Sequence, residues 1–404
     1  MRILKIFIKT TTIIIGVFCT LLLLLSCFLN RVLPSQFYVS STGREDLSAY
    51  GVTLTSYNNS KENTVQGQLM LGNIIPIKSV EINVKANETV VPCGIPFGIK
   101  LFTNGVMVVK LESITVNNKT YNPARDSGIE IGDVITMVNS KKVTFTEDLP
   151  IIVNQSKGKP IQLTIVRNGK TINKSILPVD TGNGNYKIGI WVRDSSAGIG
   201  TMTFYHTESN AFGGLGHGIC DIDTGTLLPI SQGEITGAKI DSITKAKSGS
   251  AGTLNGHHCD NQCSGYVICN SECGVFGYLQ SSPTNNEPIP VAYKQQIKIG
   301  KAEILSTIQG EKPKYYDVEI TSINYNEYSK TKNIVLKVTD NELLDKTNGI
   351  IQGMSGSPII QNGRLVGAVT HVFVNEPNMG YGIFAENMID ELNTESRTLL
   401  KDVA

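Results

Sequence analysis

From Thr10 to Leu29 no residue carries a charge, and the run includes Ile13-Ile14-Ile15 and Leu21 to Leu25. An apolar stretch of roughly 20 residues is long enough to cross a bilayer as a helix. Residues 1–30 are therefore predicted to be an N-terminal transmembrane anchor. Beyond it the pattern changes: short apolar, β-branched runs alternate with glycine- and asparagine-rich turns, which predicts strands. Val106 to Leu111 reads as a buried strand, and Ile131 to Val138 as a second one entered through a glycine turn. Ile161 to Val166, Asn168-Gly169 and Thr171 to Leu177 predict a hairpin, because an Asn-Gly pair suits a tight two-residue turn. Thr146-Glu147-Asp148 begins a short helical stretch with its own N-cap. After the linker Thr181-Gly182-Asn183-Gly184-Asn185, short strands spaced by glycines continue to about residue 390, and only Ala385 to about Ala404 reads as helical. The resulting fold class is mainly β. The divisions are an anchor (1–30), a stalk with strands (31–81), a small β-rich domain (82–180) and a long β domain (186–404). In the stalk, Glu62-Asn63-Thr64 is polar enough to be a processing loop.

Composition narrows the function classes. The chain has 404 residues, 40% hydrophobic and 18% charged, which allows two or three packed domains and excludes general disorder. A formal net charge of +1 gives no basic excess for nucleic acid and no acidic tail for a basic partner. Arg2, Lys5 and Lys9 before the apolar run predict a cytoplasmic N-terminus, with everything after Asn30 on the far side. A cleaved signal peptide has the same order of charged and apolar segments. Leu24-Leu25-Ser26-Cys27 resembles a lipobox, which would put a lipid on Cys27. A retained anchor is the reading adopted, and all three export the bulk of the chain.

In the small β domain, Ser127-Gly128-Ile129-Glu130-Ile131-Gly132-Asp133-Val134-Ile135 resembles a PDZ domain, and Pro96-Phe97-Gly98-Ile99-Lys100-Leu101 resembles the carboxylate-binding loop of that family. The resemblance implies that Phe97, Gly98 and Ile99 bind peptide C-termini, with the strand after the loop pairing with the incoming chain.

The long β domain holds the chemistry. A serine hydroxyl is a poor nucleophile at neutral pH and needs a base and donors aimed at a developing oxyanion. Gly353-Met354-Ser355-Gly356-Ser357-Pro358 supplies a serine framed by glycines, with the Gly353 and Ser355 amides as candidate oxyanion donors. The strand, turn and strand that follow make this region resemble the nucleophile region of chymotrypsin-like peptidases, which implies a double β-barrel. Of the five histidines, His217 in Gly213-Gly214-Leu215-Gly216-His217-Gly218 is framed by glycines and lies far upstream of the serine. That order fits a base from the first barrel and a nucleophile from the second. His371 is the main rival; His206 reads as a strand residue, and His257 and His258 belong to a cysteine-rich segment. For the carboxylate, Asp340, Asp221 and Asp223 all remain open, since an aspartate so near the histidine in sequence can simply cap a turn.

Taken together, the anchor, the PDZ-like block, Leu215-Gly216-His217-Gly218-Ile219-Cys220-Asp221-Ile222-Asp223-Thr224 and the run from Gly349 to Tyr381 resemble the SpoIVB sporulation peptidases. The resemblance places the catalytic histidine on His217, the serine on Ser355 and the aspartate on Asp340. It implies a self-processing serine endopeptidase, exported from the forespore into the space between the two sporulation membranes. There it would cleave a membrane-bound regulator and so trigger activation of a late sigma factor. Its partners would be that regulator, its own N-terminal region, peptide C-termini and the membrane. No cofactor and no catalytic metal is expected. A PDZ adaptor with an inactive peptidase-like domain is the competing class. Cys259, Cys263, Cys269 and Cys273, with His257 and His258, depart from the family; disulfides and a structural zinc site are both open for them.

Overall fold

A computed structural model describes residues 2–40, 52–61, 64–71, 74–85, 88–259, 264–326 and 329–402. Helix α1 (Arg2–Val32) contains the apolar run, and its side chains from Ile8 to Arg31 are largely unburied, which fits a membrane anchor by length and composition. The stalk folds into a four-stranded sheet in the order β1-β4-β3-β2, built from β1 (Gln36–Ser40), β2 (Val52–Lys61), β3 (Thr64–Leu71) and β4 (Ile75–Lys85). Glu62 and Asn63 of the expected processing loop lie outside the described residues; Thr64 begins β3. β1 leans on the C-terminal part of the chain, where the Tyr38 ring stacks on Tyr293 and its hydroxyl donates to Asp390.

The next stretch runs through β5 (Thr89–Pro92), β6 (Pro96–Leu111), β7 (Ile114–Val116), β8 (Lys119–Tyr121), α2 (Pro123–Asp126), β9 (Val134–Val138), β10 (Lys141–Lys142), α3 (Asp148–Gln155), β11 (Ile161–Arg167), β12 (Lys170–Ile176), β13 (Val179–Asp180) and β14 (Tyr186–Lys187). Val106, Val108, Ile129, Ile135, Leu149, Ile152, Ile161, Leu163 and Ile165 share one apolar core here. The β11–β12 hairpin forms as expected, with Asn168 (φ 50°) and Gly169 (φ 73°) in its turn. The Gly-Ile-Glu-Ile-Gly-Asp motif is fixed by charge. Asp133 is buried, accepts from the Glu130 N–H (2.9 Å) and takes a two-pronged Arg167 guanidinium at 2.6 and 2.8 Å. The expected strand shortens accordingly, because 131–133 belong to this turn and β9 starts at Val134. Helix α3 has no side-chain N-cap bond, since Thr146 turns away to Asp194; Asp148 instead accepts the Thr144 and Phe145 N–H groups.

The remaining strands are β15 (Ile190–His206), β16 (Ala211–Gly214), β17 (Ile230–Thr244), β18 (Thr253–Cys259), β19 (Gly265–Ser271), β20 (Gly274–Leu279), β21 (Ile289–Pro290), β22 (Gly300–Ser306), β23 (Lys314–Ile323), β24 (Ile334–Val338), β25 (Pro358–Gln361), β26 (Arg364–Val372) and β27 (Met379–Phe384), with helices α4 (Asn341–Thr347) and α5 (Ala385–Asp402). They build two barrels. The second is a closed ring, β22-β23-β24-β27-β26-β25. The first is a ring within the large sheet, β6-β17-β19-β20-β16-β15, closed by pairing between β15 and β6. The mainly β, double-barrel fold expected from sequence is therefore present.

Two expectations need correction. Phe97, Gly98 and Ile99 are not a peptide-binding loop. They lie in β6 with β15 on one side (Gly98 opposite Ile199) and β17 on the other (Gly98 opposite Thr236), so both edges of the strand are already hydrogen-bonded and no incoming peptide can pair there. Phe97 and Ile99 are buried in the first barrel's core. The glycine- and asparagine-rich stretch 181–185 is also no free linker. It is the turn of the β13–β14 hairpin, closed by Thr181 N–H to the Asn185 carbonyl (2.8 Å) and Asn185 N–H to the Gly182 carbonyl (3.1 Å).

Candidate active site

The turn after β16 leaves the first barrel in a left-handed conformation at Leu215 (φ 67°) and Gly216 (φ 69°), which swings His217 out toward the second barrel. Gly218 follows in a tight place: a Cβ there would lie 2.3 Å from Leu227 and 2.6 Å from the Ser271 carbonyl. The loop is backed by Asn270 of β19. Its side chain accepts from the Ile219 N–H (2.8 Å) and donates to the Ile219 and Leu228 carbonyls (both 2.9 Å).

Ser355 sits on the loop before β25, and β15 of the first barrel grips that loop. Thr201 Oγ1 donates to the Gly353 carbonyl (2.7 Å), the Thr201 N–H donates to the Ser355 carbonyl (3.2 Å), and Thr203 Oγ1 donates to the Gly356 carbonyl (2.8 Å). The Gly353 and Ser355 N–H groups donate to no backbone acceptor among the described residues. At Gly356 (φ 97°) the barrels meet closely: a Cβ there would lie 2.0 Å from the Thr201 carbonyl oxygen. Only glycine fits that backbone and that gap.

His217 and Ser355 line one cleft of about 650 Å³ between the barrels, together with Gly353, Gln352, Thr370 and His371. The other wall is Ser196 to Gly200 of β15. The Ser355 hydroxyl donates to the Thr370 carbonyl (2.6 Å). His217 Nδ1 lies 2.9 Å from the Gly218 carbonyl. A carbonyl only accepts, so Nδ1 carries the proton and Nε2 is left as the basic nitrogen. Burial pushes the His217 pKa down, opposed in part by that carbonyl contact. His371 stands beside it with ring centres 5.1 Å apart; burial, then the charge of His217 and of Lys332, take its pKa to about 4.

Among the described residues, no aspartate or glutamate lines the cleft. Asp340 is the N-cap of α4: one oxygen accepts the Leu343 N–H (2.8 Å) and the other faces the Asp317 N–H (3.5 Å). The structure thus brings His217, Ser355 and Gly353 together and leaves Asp340 outside. Asp221 is buried, accepts the Asp223 and Thr224 N–H groups at 3.0 and 2.9 Å, and is paired with Arg193, which also reaches Asp223 at 2.8 Å. Both rivals serve their turn. Thr201 and Thr203 were not singled out in the sequence, because a strand threonine there carries no local mark of its partner some 150 positions away; Thr370 meets Ser355 only through its backbone carbonyl, which any residue would supply.

A family model described as SpoIVB peptidase S55 matches residues 184–389, and one described as PDZ domain matches residues 82–177. Among curated proteins, one from Clostridium perfringens named as a zinc metalloprotease is 24% identical over 160 residues, 40% of this chain and 42% of that one. Another so named, from Lactococcus lactis, is 34% identical over 68 residues, 17% of this chain and 16% of that one. The chain thus spans less than half the length of the curated relatives it matches. Among solved structures, the Rv3671c protease from Mycobacterium tuberculosis in its active form is 13% identical, covering 49% of this chain and 74% of that one, with a TM-score of 0.28. A serine endoprotease from Yersinia pestis is 14% identical, covering 49% and 58%, with a TM-score of 0.29.

Proposed function

Because the chain belongs to the SpoIVB peptidase S55 family, we propose that it is a membrane-anchored serine endopeptidase with Ser355 as nucleophile and His217 as general base. The observation that carries this reading is the convergence of His217, Ser355 and the Gly353 and Ser355 amides in one cleft between two barrels. In the reaction the Ser355 hydroxyl turns from the Thr370 carbonyl toward His217 Nε2, which takes its proton. Ser355 Oγ then attacks the scissile carbonyl, and the Gly353 and Ser355 N–H groups hold the oxyanion. His217 next protonates the leaving amine, and water, activated by the same imidazole, releases the acyl group. The Gly218 carbonyl takes the orienting role that a carboxylate fills in a Ser-His-Asp triad, since it fixes the tautomer of His217. The family assignment of Asp340 to that role is the alternative, and would require Asp340 to leave its cap.

The substrate proposed is a membrane-bound regulator of sporulation, cleaved outside the forespore membrane, with self-cleavage in the stalk before residue 82. This rests on the family and on α1, whose length suits an anchor. The test is labelling with a fluorophosphonate probe. Wild type should label and shorten from its N-terminal side, while Ser355→Ala should do neither. No labelling of folded wild type would favour the inactive adaptor, and equal shortening of Ser355→Ala would assign the cut to another protease.

A further inference from the structure

Three of the four clustered cysteines lie among the described residues, and they occupy two different places in the fold. Cys259 ends β18, and Cys263 lies outside the described residues. Cys269 and Cys273 sit at the β19–β20 hairpin, under the C-terminal helix α5. There the Cys269 sulfur and one carboxylate oxygen each from Glu391 and Glu395 lie within 4.8 Å of one another. Cys269 is buried and both glutamates are half-buried. Glu391 and Glu395 are four residues apart on α5, so they project from one face, where like charges repel. Among the described residues neither has an ion-pair partner. A second buried thiol, Cys273, lies close enough to Glu391 to feel its charge, and the two line one cavity. Lys330 lines that cavity too, but makes no ion pair with either glutamate. Two carboxylates held together beside buried thiols, without a partner cation, form an incomplete electrostatic arrangement. A divalent cation would complete it. Thiolate together with carboxylate suits a borderline-soft ion without strict geometric demand, which is zinc among the common metals.

We propose that Cys269, Glu391 and Glu395 bind a zinc ion, with the fourth position left to solvent. The site is structural and separate from the catalytic cleft. Binding forms a Zn–S bond and releases the Cys269 proton to solvent; nothing is oxidised or reduced. The ion would clamp α5 onto the hairpin. The next residue, Asn270, is the one that holds Ile219 and Leu228 behind His217. Zinc would thus stiffen the support of the general base without touching substrate.

The experiment uses the full chain, purified in detergent with a thiol reductant, equilibrated with zinc and dialysed against a weak chelator. Metal is counted by mass spectrometry, and cobalt replacement is followed by its sulfur-to-metal absorption. One equivalent of zinc and a sulfur-to-cobalt band are expected for wild type and for Cys259→Ser. The double variant Glu391→Gln, Glu395→Gln should keep the wild-type circular dichroism and bind only background zinc. If it fails to fold, Cys269→Ser is read by cobalt, where loss of the sulfur band is expected. Zinc at wild-type level in the folded double variant, an unaltered sulfur band in Cys269→Ser, or a zinc-free wild type would each overturn the proposal. A Cys269–Cys273 disulfide in protein taken from the exporting compartment would overturn it as well.

Discussion

Thr201 offers the most direct test of how the nucleophile loop is built. Its hydroxyl and its N–H hold the carbonyls of Gly353 and Ser355, so they pin the peptide units on both sides of the one that carries the Ser355 N–H. Thr201→Val keeps the shape and the N–H contact and removes only the hydroxyl. Thr201 is 2% exposed, so water does not readily replace the lost donor. A buried acceptor left unpaired costs about 1–3 kcal/mol. If the loop escapes that cost by rotating the Gly353 carbonyl outward, the proposed oxyanion donors move with it. The same 1–3 kcal/mol then appears in the transition state, as a fall of about 5- to 150-fold in the rate of acylation. The assay is the second-order rate of fluorophosphonate labelling, with thermal unfolding measured alongside. Thr201→Ser, which restores the hydroxyl, should recover most of the rate. A Thr201→Val protein that unfolds earlier yet labels within twofold of wild type would show the bond to be structural only. Thr201 would then hold the fold without positioning the amide of Ser355.

Other expectations follow from the same geometry. Gly356→Ala should abolish labelling, because the added methyl would meet the Thr201 carbonyl oxygen at 2.0 Å; a soluble variant with wild-type labelling would contradict this contact. In the proposed mechanism the base must be neutral, and burial holds the His217 pKa below the ordinary 6.5, so the acid limb of kcat/KM should have its midpoint under that value. The sign for stability is the reverse of a salt bridge: the unfolded chain takes up the His217 proton first, so stability declines as pH falls from 6.5. An acid limb above 6.5 would indicate a carboxylate at Nδ1 and would sink the Gly218 assignment. Asp340→Ala should lower stability by about 1 kcal/mol through loss of a helix cap, whereas Asp340→Asn, still able to cap, should keep both stability and labelling. Loss of labelling in Asp340→Asn at unchanged melting temperature would return Asp340 to the catalytic group. Arg167→Ala should destabilise by about 3–5 kcal/mol, because it leaves the buried Asp133 carboxylate without its cation; a change under 1 kcal/mol in chemical unfolding would refute that.

Much of the cleft was legible in the sequence because its parts are local. A serine between glycines, a histidine between glycines and an Asn-Gly hairpin are each marked within a few residues. What stayed hidden depends on partners distant in the chain. Nothing around Phe97 signals that β17, over 130 positions later, will pair with its strand, so a glycine-containing run resembled a binding loop. Asp340 carried the family's aspartate, yet the residue three positions on, Leu343, claims its carboxylate as a helix begins. The cysteines looked like one cluster because they are near in sequence. Yet Cys259 ends β18, while Cys269 and Cys273 are buried against α5.

The strand that resembled a peptide-binding loop has a practical consequence. The segment matched by the peptidase family begins at residue 184, but β6, which starts at Pro96, is a stave of the first barrel. A fragment cut at residue 184 would keep the histidine, the serine and the whole second barrel. It would also open the first barrel along β15 and β17, exposing two unpaired edges that invite aggregation. The smallest autonomous protease in this chain should therefore begin upstream of the PDZ-like unit. Loss of that unit by proteolysis would be an off-switch as well as the removal of an accessory.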